Sequence, residues 1–279
     1  MAQVISRRIF LTHTALLVAT RGTWLHSAPT LRVAALPSTS TDARGMGLTL
    51  GAEEASHAAA LFGGAFELVA LLPGSLRRAG ISAVIGDGDC ARSTTLSAMA
   101  DDAGIPFFNV GCSADTLRRC RRSTFHVAPS DAMKRDARVA RVARVARVAA
   151  RGAGEVVAWH SSLVRFGADT LNRRFRERFG TAMTADAWTA WLATKILWET
   201  ALRARSADPR VLMDALVSDS TQFDGHKGLP LSFRAWDHQL RQPLYVMQGE
   251  RATEVPVALR PGEPARALLD RLGAPSCAS

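Results

Sequence analysis

Asp87 and Asp89 flank Gly88 directly behind the apolar run 81–86, and Asp101 and Asp102 follow a little further on. Grouped carboxylates serve acid–base transfer or metal binding, and loops behind buried strands commonly hold such groups. The spacing does not group these four. Residues 93–103 read as a helix, which puts Asp101 and Asp102 about three turns away from the loop that carries Asp87 and Asp89. No other reaction centre is offered: the chain has no Gly-x-Ser-x-Gly elbow, no G-x-x-x-x-G-K-[ST] loop, no His-Glu-x-x-His and no dinucleotide fingerprint. Cys90, Cys112, Cys120 and Cys277 form no C-x-x-C pair, and no histidine stands beside them at zinc-ligand spacing. The expectation is a protein without catalysis, cofactor or structural metal.

The elements that would position any site alternate. Residues 31–36 read as a buried strand, 45–60 as a helix of small and apolar residues, 65–72 and 81–86 as further strands, 93–103 as a helix and 105–110 as a fourth strand. Ser93 or Thr94 is the expected N-cap of the second helix, and Gly104 its stop. Apolar runs without polar alternation suit strands covered on both faces, which means a parallel sheet in an α/β fold. Further along, 155–159 reads as a short strand, 169–179 and 186–205 as helices, 208–217 as a short helix opened by Asp208-Pro209, 223–233 as a Gly- and Pro-containing connection, and 243–248 as a late strand. Trp188 and Trp191 fall on the wide apolar face of 186–205, where they suit a core better than a ligand cage.

Charge is concentrated. The 279 residues carry a net charge of +10 and 47% hydrophobic side chains, enough for a sizeable core. Residues 118–151 hold eleven basic side chains against Asp131 and Asp136, so this one segment supplies nearly the whole excess. The Val-Ala-Arg triplets of 138–147 walk their arginines around a helix without forming a stripe, and no aromatic residues interleave them. A general nucleic-acid surface is therefore not implied, and replication slippage within an existing helix accounts for the repeat better than a designed basic site, a phosphate-backbone contact being the alternative. At the start of the chain, Ser6-Arg7-Arg8-Ile9-Phe10-Leu11 leads into a modest apolar run, 9–19, too short to span a bilayer. This is the twin-arginine export pattern, with processing expected near Ser27-Ala28.

The run 81–86, then Cys90-Ala91-Arg92-Ser93-Thr94, then residues 103–113 ending Gly111-Cys112-Ser113, resemble the first lobe of periplasmic substrate-binding proteins of the branched-chain amino acid ABC transporter type. Phe223-Asp224-Gly225 and Gly228-Leu229-Pro230-Leu231-Ser232-Phe233 resemble the crossing segment of the same family. The fuller string to Leu244 is similar to a subfamily found with pyrroloquinoline-quinone-dependent alcohol dehydrogenase systems. The resemblance implies two α/β lobes closing on a small polar ligand, held by hydroxyls and by backbone N–H groups at helix N-termini. Carried onto this chain, it places Arg92, Ser93, Thr94, Cys112 and Ser113 at the ligand. Ser93 and Thr94 serve equally as simple helix caps, and Arg92 either grips a carboxylate or faces solvent. Cys90 and Cys112 follow consecutive strands and are close enough for a bridge if their Cα atoms lie within about 7 Å.

The expected fold is α/β, type I periplasmic-binding-protein-like, with the first lobe nearly complete and the second truncated. Residues 1–28 read as the signal, 29–150 plus 186–242 as the first lobe, 155–180 plus 243–260 as a remnant second lobe, and 261–279 as a C-terminal tail. The family's helix between the second and third strands is reduced to a turn around 75–79. The expected role is a periplasmic solute-binding component that works with an ABC transporter permease, binds a small-molecule ligand and meets the membrane only through that permease. A link to a quinoprotein dehydrogenase system belongs to the same expectation. The alternative is a degenerate first lobe that docks a partner without binding solute.

Overall fold

Strands of three to six residues stack side by side into the main sheet, buried along most of their length except at the edge strand 65–70. The computed structural model describes residues 28–36, 42–71, 76, 80–118, 121–145, 154–255, 267 and 269–273. The twin-arginine segment and most of the turn at 75–79 lie outside the described residues. Strands β1 (Thr30–Ala35), β2 (Ala65–Ala70), β3 (Ala83–Ile85), β4 (Phe107–Asn109) and β5 (Thr124–His126) form one parallel sheet in the order β2-β1-β3-β4-β5. β5 was not expected from the sequence. It is only three residues long and carries Thr124 and His126 beside Phe125, all buried, so no apolar run marks it.

Six helices accompany the described strands: α1 (Ala43–Leu61), α2 (Cys90–Ala103), α3 (Asp131–Val145), α4 (Ala168–Phe179), α5 (Ala185–Ala204) and α6 (Pro209–Leu216). The N-cap of α2 is a correction: Asp89 caps it by accepting from the Arg92 N–H at 2.8 Å, and the helix begins at Cys90. Aspartate is as strong a cap as serine and is reached first. Ser93 and Thr94 therefore lie inside the helix, and Gly104 ends it at φ 66° as expected. The described part of the Arg-rich repeat, 138–145, lies in α3, which is anchored at its start by Ser130, which accepts from the Met133 N–H, and by buried Met133 and Ala137.

The core centres on α5, which lies against α1. Gly47 and Gly51 allow that approach: a methyl group on Gly47 would fall on the Ala187 carbonyl, and one on Gly51 would come within 2.8 Å of the Thr194 Cβ. Trp188 and Trp191 are core residues. Trp188 stacks on Trp159 at 5.6 Å and donates to the Gly225 carbonyl, while Trp191 donates to Glu54.

A second sheet, β10-β9-β6, is antiparallel and small: β6 (Val156–Val157), β9 (Tyr245–Gln248) and β10 (Arg251–Glu254). The connection at 223–233 is more ordered than its Gly and Pro content suggested. Phe223 bridges Leu231, and β7 (Ser232–Phe233) pairs with β8 (Leu240–Arg241). Part of the C-terminal region is packed: buried Arg234 donates to the carbonyls of Leu269 and Leu272, and the Gly273 N–H donates to Asp136.

Replacing glycine by alanine in a helix interior ordinarily stabilises by about 1 kcal/mol. At Gly47 the sign reverses: Gly47→Ala destabilises by about 1–3 kcal/mol, because the new methyl group pushes α1 off α5. Urea unfolding of the two proteins checks both sign and size.

Candidate functional site

The loops behind β3, β4 and β5 all emerge at one edge of the parallel sheet, the edge where α/β sheets bind ligands. A cleft of about 110 Å³ opens there. Its first wall is made by Val110, Gly111, Ser113, Ala128 and Pro129, and its second by Glu155, Val156, Val157 and Ala158. Lys134 of α3 faces it, and Ala185, Asp186 and Thr189 at the start of α5 close it.

The first wall is fastened by side chains that the hydrophobic pattern does not reveal. Asn109 accepts from the N–H groups of Gly111 (3.3 Å) and Cys112 (2.9 Å) through Oδ1, and Nδ2 donates to the Cys112 carbonyl at 2.8 Å. Those bonds fix the amide orientation, so the same Nδ2 donates to His126 Nδ1 at 3.2 Å. Burial, with the Arg118 charge and His238 adding to it, holds His126 well below its ordinary pKa, so it stays a neutral acceptor. Arg118 is itself buried. It donates to the carbonyls of Cys112, Ala114 and Ala128, joining the loops behind β4 and β5, and burial lowers its pKa to about 10. Thr189 reaches over from α5 to donate to the Val110 carbonyl at 2.7 Å.

Cys90 and Cys112 are bonded, with Cα atoms 4.9 Å apart. The bridge ties the first residue of α2 to the cleft wall. Ser113 is the one of the five expected contacts that lines the cleft. Arg92 pairs with Asp87 at 2.8 Å and stands more than half exposed. Ser93 is fully buried with its hydroxyl turned to the Asp87 carbonyl at 3.4 Å, Thr94 donates to the Cys90 carbonyl at 2.8 Å, and Cys112 has no free thiol. Lys134, Glu155, Asp186 and Thr189 were missed. A usable signal existed for one of them: Lys134 is among only three lysines in a chain that otherwise uses arginine.

The third of those lysines marks the junction between the two sheets. Lys227 is fully buried, donates to Gln242 Oε1 and the Pro243 carbonyl, both at 2.9 Å, and stands 4.0 Å over the Trp188 ring. Burial pushes its pKa well below the ordinary lysine value, with Glu254 opposing weakly. Tyr245 of β9 packs near the same nitrogen, and burial raises its pKa.

No protein-family model and no curated protein matches the sequence. Solved structures do match. An ABC transporter substrate-binding protein from Desulfitobacterium hafniense is similar at 15% identity and a TM-score of 0.64, over 81% of this chain and 99% of that one. The branched-chain amino acid transporter substrate-binding protein LivJ from Streptococcus pneumoniae, in complex with isoleucine, matches at 14% identity and 0.62, over 81% and 99%. A solute-binding protein of an ABC transporter from R. palustris, in complex with benzoate, matches at 14% and 0.62, over 81% and 95%. The fold is therefore that of the type I periplasmic binding proteins, with the parallel sheet flanked by helices.

Two outcomes follow. Replacing both Cys90 and Cys112 by serine opens a loop of sequence separation 22. It lowers stability by about 3 kcal/mol in urea titrations. For Lys227, the unfolded chain binds the proton at a pH where the folded chain does not, so wild-type stability rises with pH between the depressed pKa and the ordinary value near 10.4. Lys227→Met has no such slope and leaves two buried acceptors unpaired. Its deficit against wild type is therefore greatest near pH 10 and shrinks by about 1.4 kcal/mol per pH unit on acidification. Parallel stability curves from pH 7 to 10 would contradict this account of the buried amine.

Proposed function

We propose that the chain is an exported, periplasmic solute-binding component of an ABC-type transporter, which binds a small polar ligand without catalysis and hands it to a membrane permease. The observation that carries this reading is the cleft at the carboxyl edge of the parallel sheet, walled by Ser113 and its neighbours on one side and by 155–158 on the other, in a fold shared with solved ligand-bound transporter proteins. Among the described residues no helix is long and apolar enough to cross a membrane, which fits a component that meets the bilayer through a partner. The twin-arginine pattern at Arg7-Arg8 supports export.

In this reading residues 29–150 and 186–242 act as the first lobe, and 155–180 with 243–260 as a reduced second one. The five expected contacts then divide the work. Ser113 supplies a hydroxyl to the ligand directly, while Ser93, Thr94 and the Cys90–Cys112 bridge set the α2 start and the wall behind it. Arg92 holds Asp87 and so shapes the loop behind β3. The string from Phe223 to Leu244 supports a working link to a quinoprotein alcohol dehydrogenase system, which would place alcohol oxidation products among the solutes.

A small second sheet favours one further reading, in which the chain docks a partner and holds no solute. Thermal unfolding separates the two, since a ligand that binds only the folded form must raise Tm. The expected result is a concentration-dependent rise with one class among amino acids, small carboxylates and alcohol oxidation products. A chain that melts cooperatively and shifts with none of them is a docking protein.

A further inference from the structure

A second cavity, of about 170 Å³, lies where the segment behind β4 meets the start of α3 and the turn between β7 and β8. Asp115 and Arg118 border it from the first of these, Ser130 and Arg135 from the second, and Arg234 and Asp237 from the third. It shares no lining residue with the cleft behind the parallel sheet.

The charges around it do not balance. Asp115 is matched by Arg135 at 2.8 Å, and Asp237 by Arg234 at 3.3 Å. Asp270, which also approaches Arg234, is held at 2.6 Å by Arg241. Arg118 is left as the lining guanidinium with no carboxylate at ion-pair distance among the described residues. The carbonyls of Cys112, Ala114 and Ala128 satisfy its hydrogen bonds but not its charge. Asp115, Asp131 and Asp237 oppose the effect of burial only in part, and a pKa lowered to about 10 still leaves Arg118 charged at neutral pH. A buried cation without a counter-ion is costly.

Donors remain unused at the same place. Arg118 Nη2 gives one of its two hydrogens to the Ala128 carbonyl, and Arg234 Nη1 gives one of its two to Asp237. The buried Arg234 Nε, 3.4 Å from Asp270, makes no hydrogen bond among the described residues. The Ser130 hydroxyl accepts from the Met133 N–H and keeps its own hydrogen to turn. These donors come singly from different groups. They do not form the planar fork that grips a carboxylate or a phosphate, and they suit a spherical ion, which accepts from any direction. One surplus positive charge calls for one negative charge. A chloride ion is little larger than a water molecule, whose share of liquid volume is about 30 Å³, so the cavity admits the ion with part of its hydration shell.

We propose that this cavity is a binding site for a monovalent inorganic anion of the halide class, which gives Arg118 its counter-ion. The bound ion fastens the C-terminal part of the described chain to α3, because Gly273 lines the same cavity and Arg234 holds the carbonyls of Leu269 and Leu272. The site is independent of the solute-binding reading, and either can fail while the other stands.

The test titrates the full purified chain with sodium chloride against sodium isethionate, a bulkier anion of the same charge, at constant ionic strength so that screening stays fixed. Tm is expected to rise saturably with chloride, by about 5–8 °C at a hundredfold excess over Kd. The protein broadens the chloride NMR line, and bromide removes that broadening by competition. Arg118→Met abolishes both responses. Where Arg118→Met does not melt cooperatively, Ala132→Asp decides: Ala132 lines the cavity in the first turn of α3, and a carboxylate fixed there takes the place of the ion and abolishes the chloride response. Arg173→Gln, which makes the same change in net charge at an exposed position on α4, keeps the response. Equal Tm values in the two salts, a chloride line that the protein does not broaden, or a response that survives in Ala132→Asp overturns the assignment.

Discussion

A buried guanidinium needs acceptors, and in this fold Arg118 finds them on two different loops. It takes the carbonyls of Cys112 and Ala114 behind β4 and that of Ala128 behind β5, with no carboxylate within ion-pair distance among the described residues. A charge removed from water costs several kcal/mol unless such partners are well placed. The loops are therefore held to the positions that satisfy it. Gln239, arriving from the far end of the chain, donates to the carbonyls of His126 and Ala128 and closes the same network. The first wall of the cleft inherits this constraint, because Gly111, Ser113 and Pro129 lie on the segments that Arg118 ties together.

Around that anchor the wall is built by polar groups whose protonation states burial has settled. His126 stays neutral and accepts from Asn109, and Asn109 in turn folds the chain between Gly111 and Cys112. The disulfide adds a covalent tie from the same loop to the α2 start. Across the molecule, Lys227 plays a comparable part at the junction of the two sheets, joining 223–233 to Gln242 and Pro243 beneath Trp188. A rigid first wall and a fastened junction are what a ligand cleft requires, since groups held in place cost little further ordering when a solute arrives.

The comparisons bear on fold alone. At 11–15% identity, likeness to transporter solute-binding proteins fixes the architecture and leaves the ligand to be argued from side chains. Ser113 remains at the cleft. Arg92, read from the sequence as either a grip for a carboxylate or a solvent-facing residue, pairs with Asp87 and stands more than half exposed.

Much of the architecture was legible from residue order. Alternation of apolar runs with helical spacing specifies parallel strands and covering helices, because buried faces on both sides leave no polar alternation, and the structure has that sheet. The tryptophans of α5 read as core and are core. What the sequence could not show falls into two kinds. Elements such as β5, β7 and β8 are too short for a periodic signal, and they exist because neighbouring strands supply their hydrogen-bond partners. The start of α2 depended on which of several capping residues was reached first. The site belongs to the second kind. Asn109, Lys134, Asp186 and Thr189 are scattered over three elements, and no local pattern joins them. Residue types and spacing determined which segments would be buried and in what class of sheet. Only the folded chain decided which charges meet, because electrostatic partners and desolvation depend on distances that sequence separation does not encode.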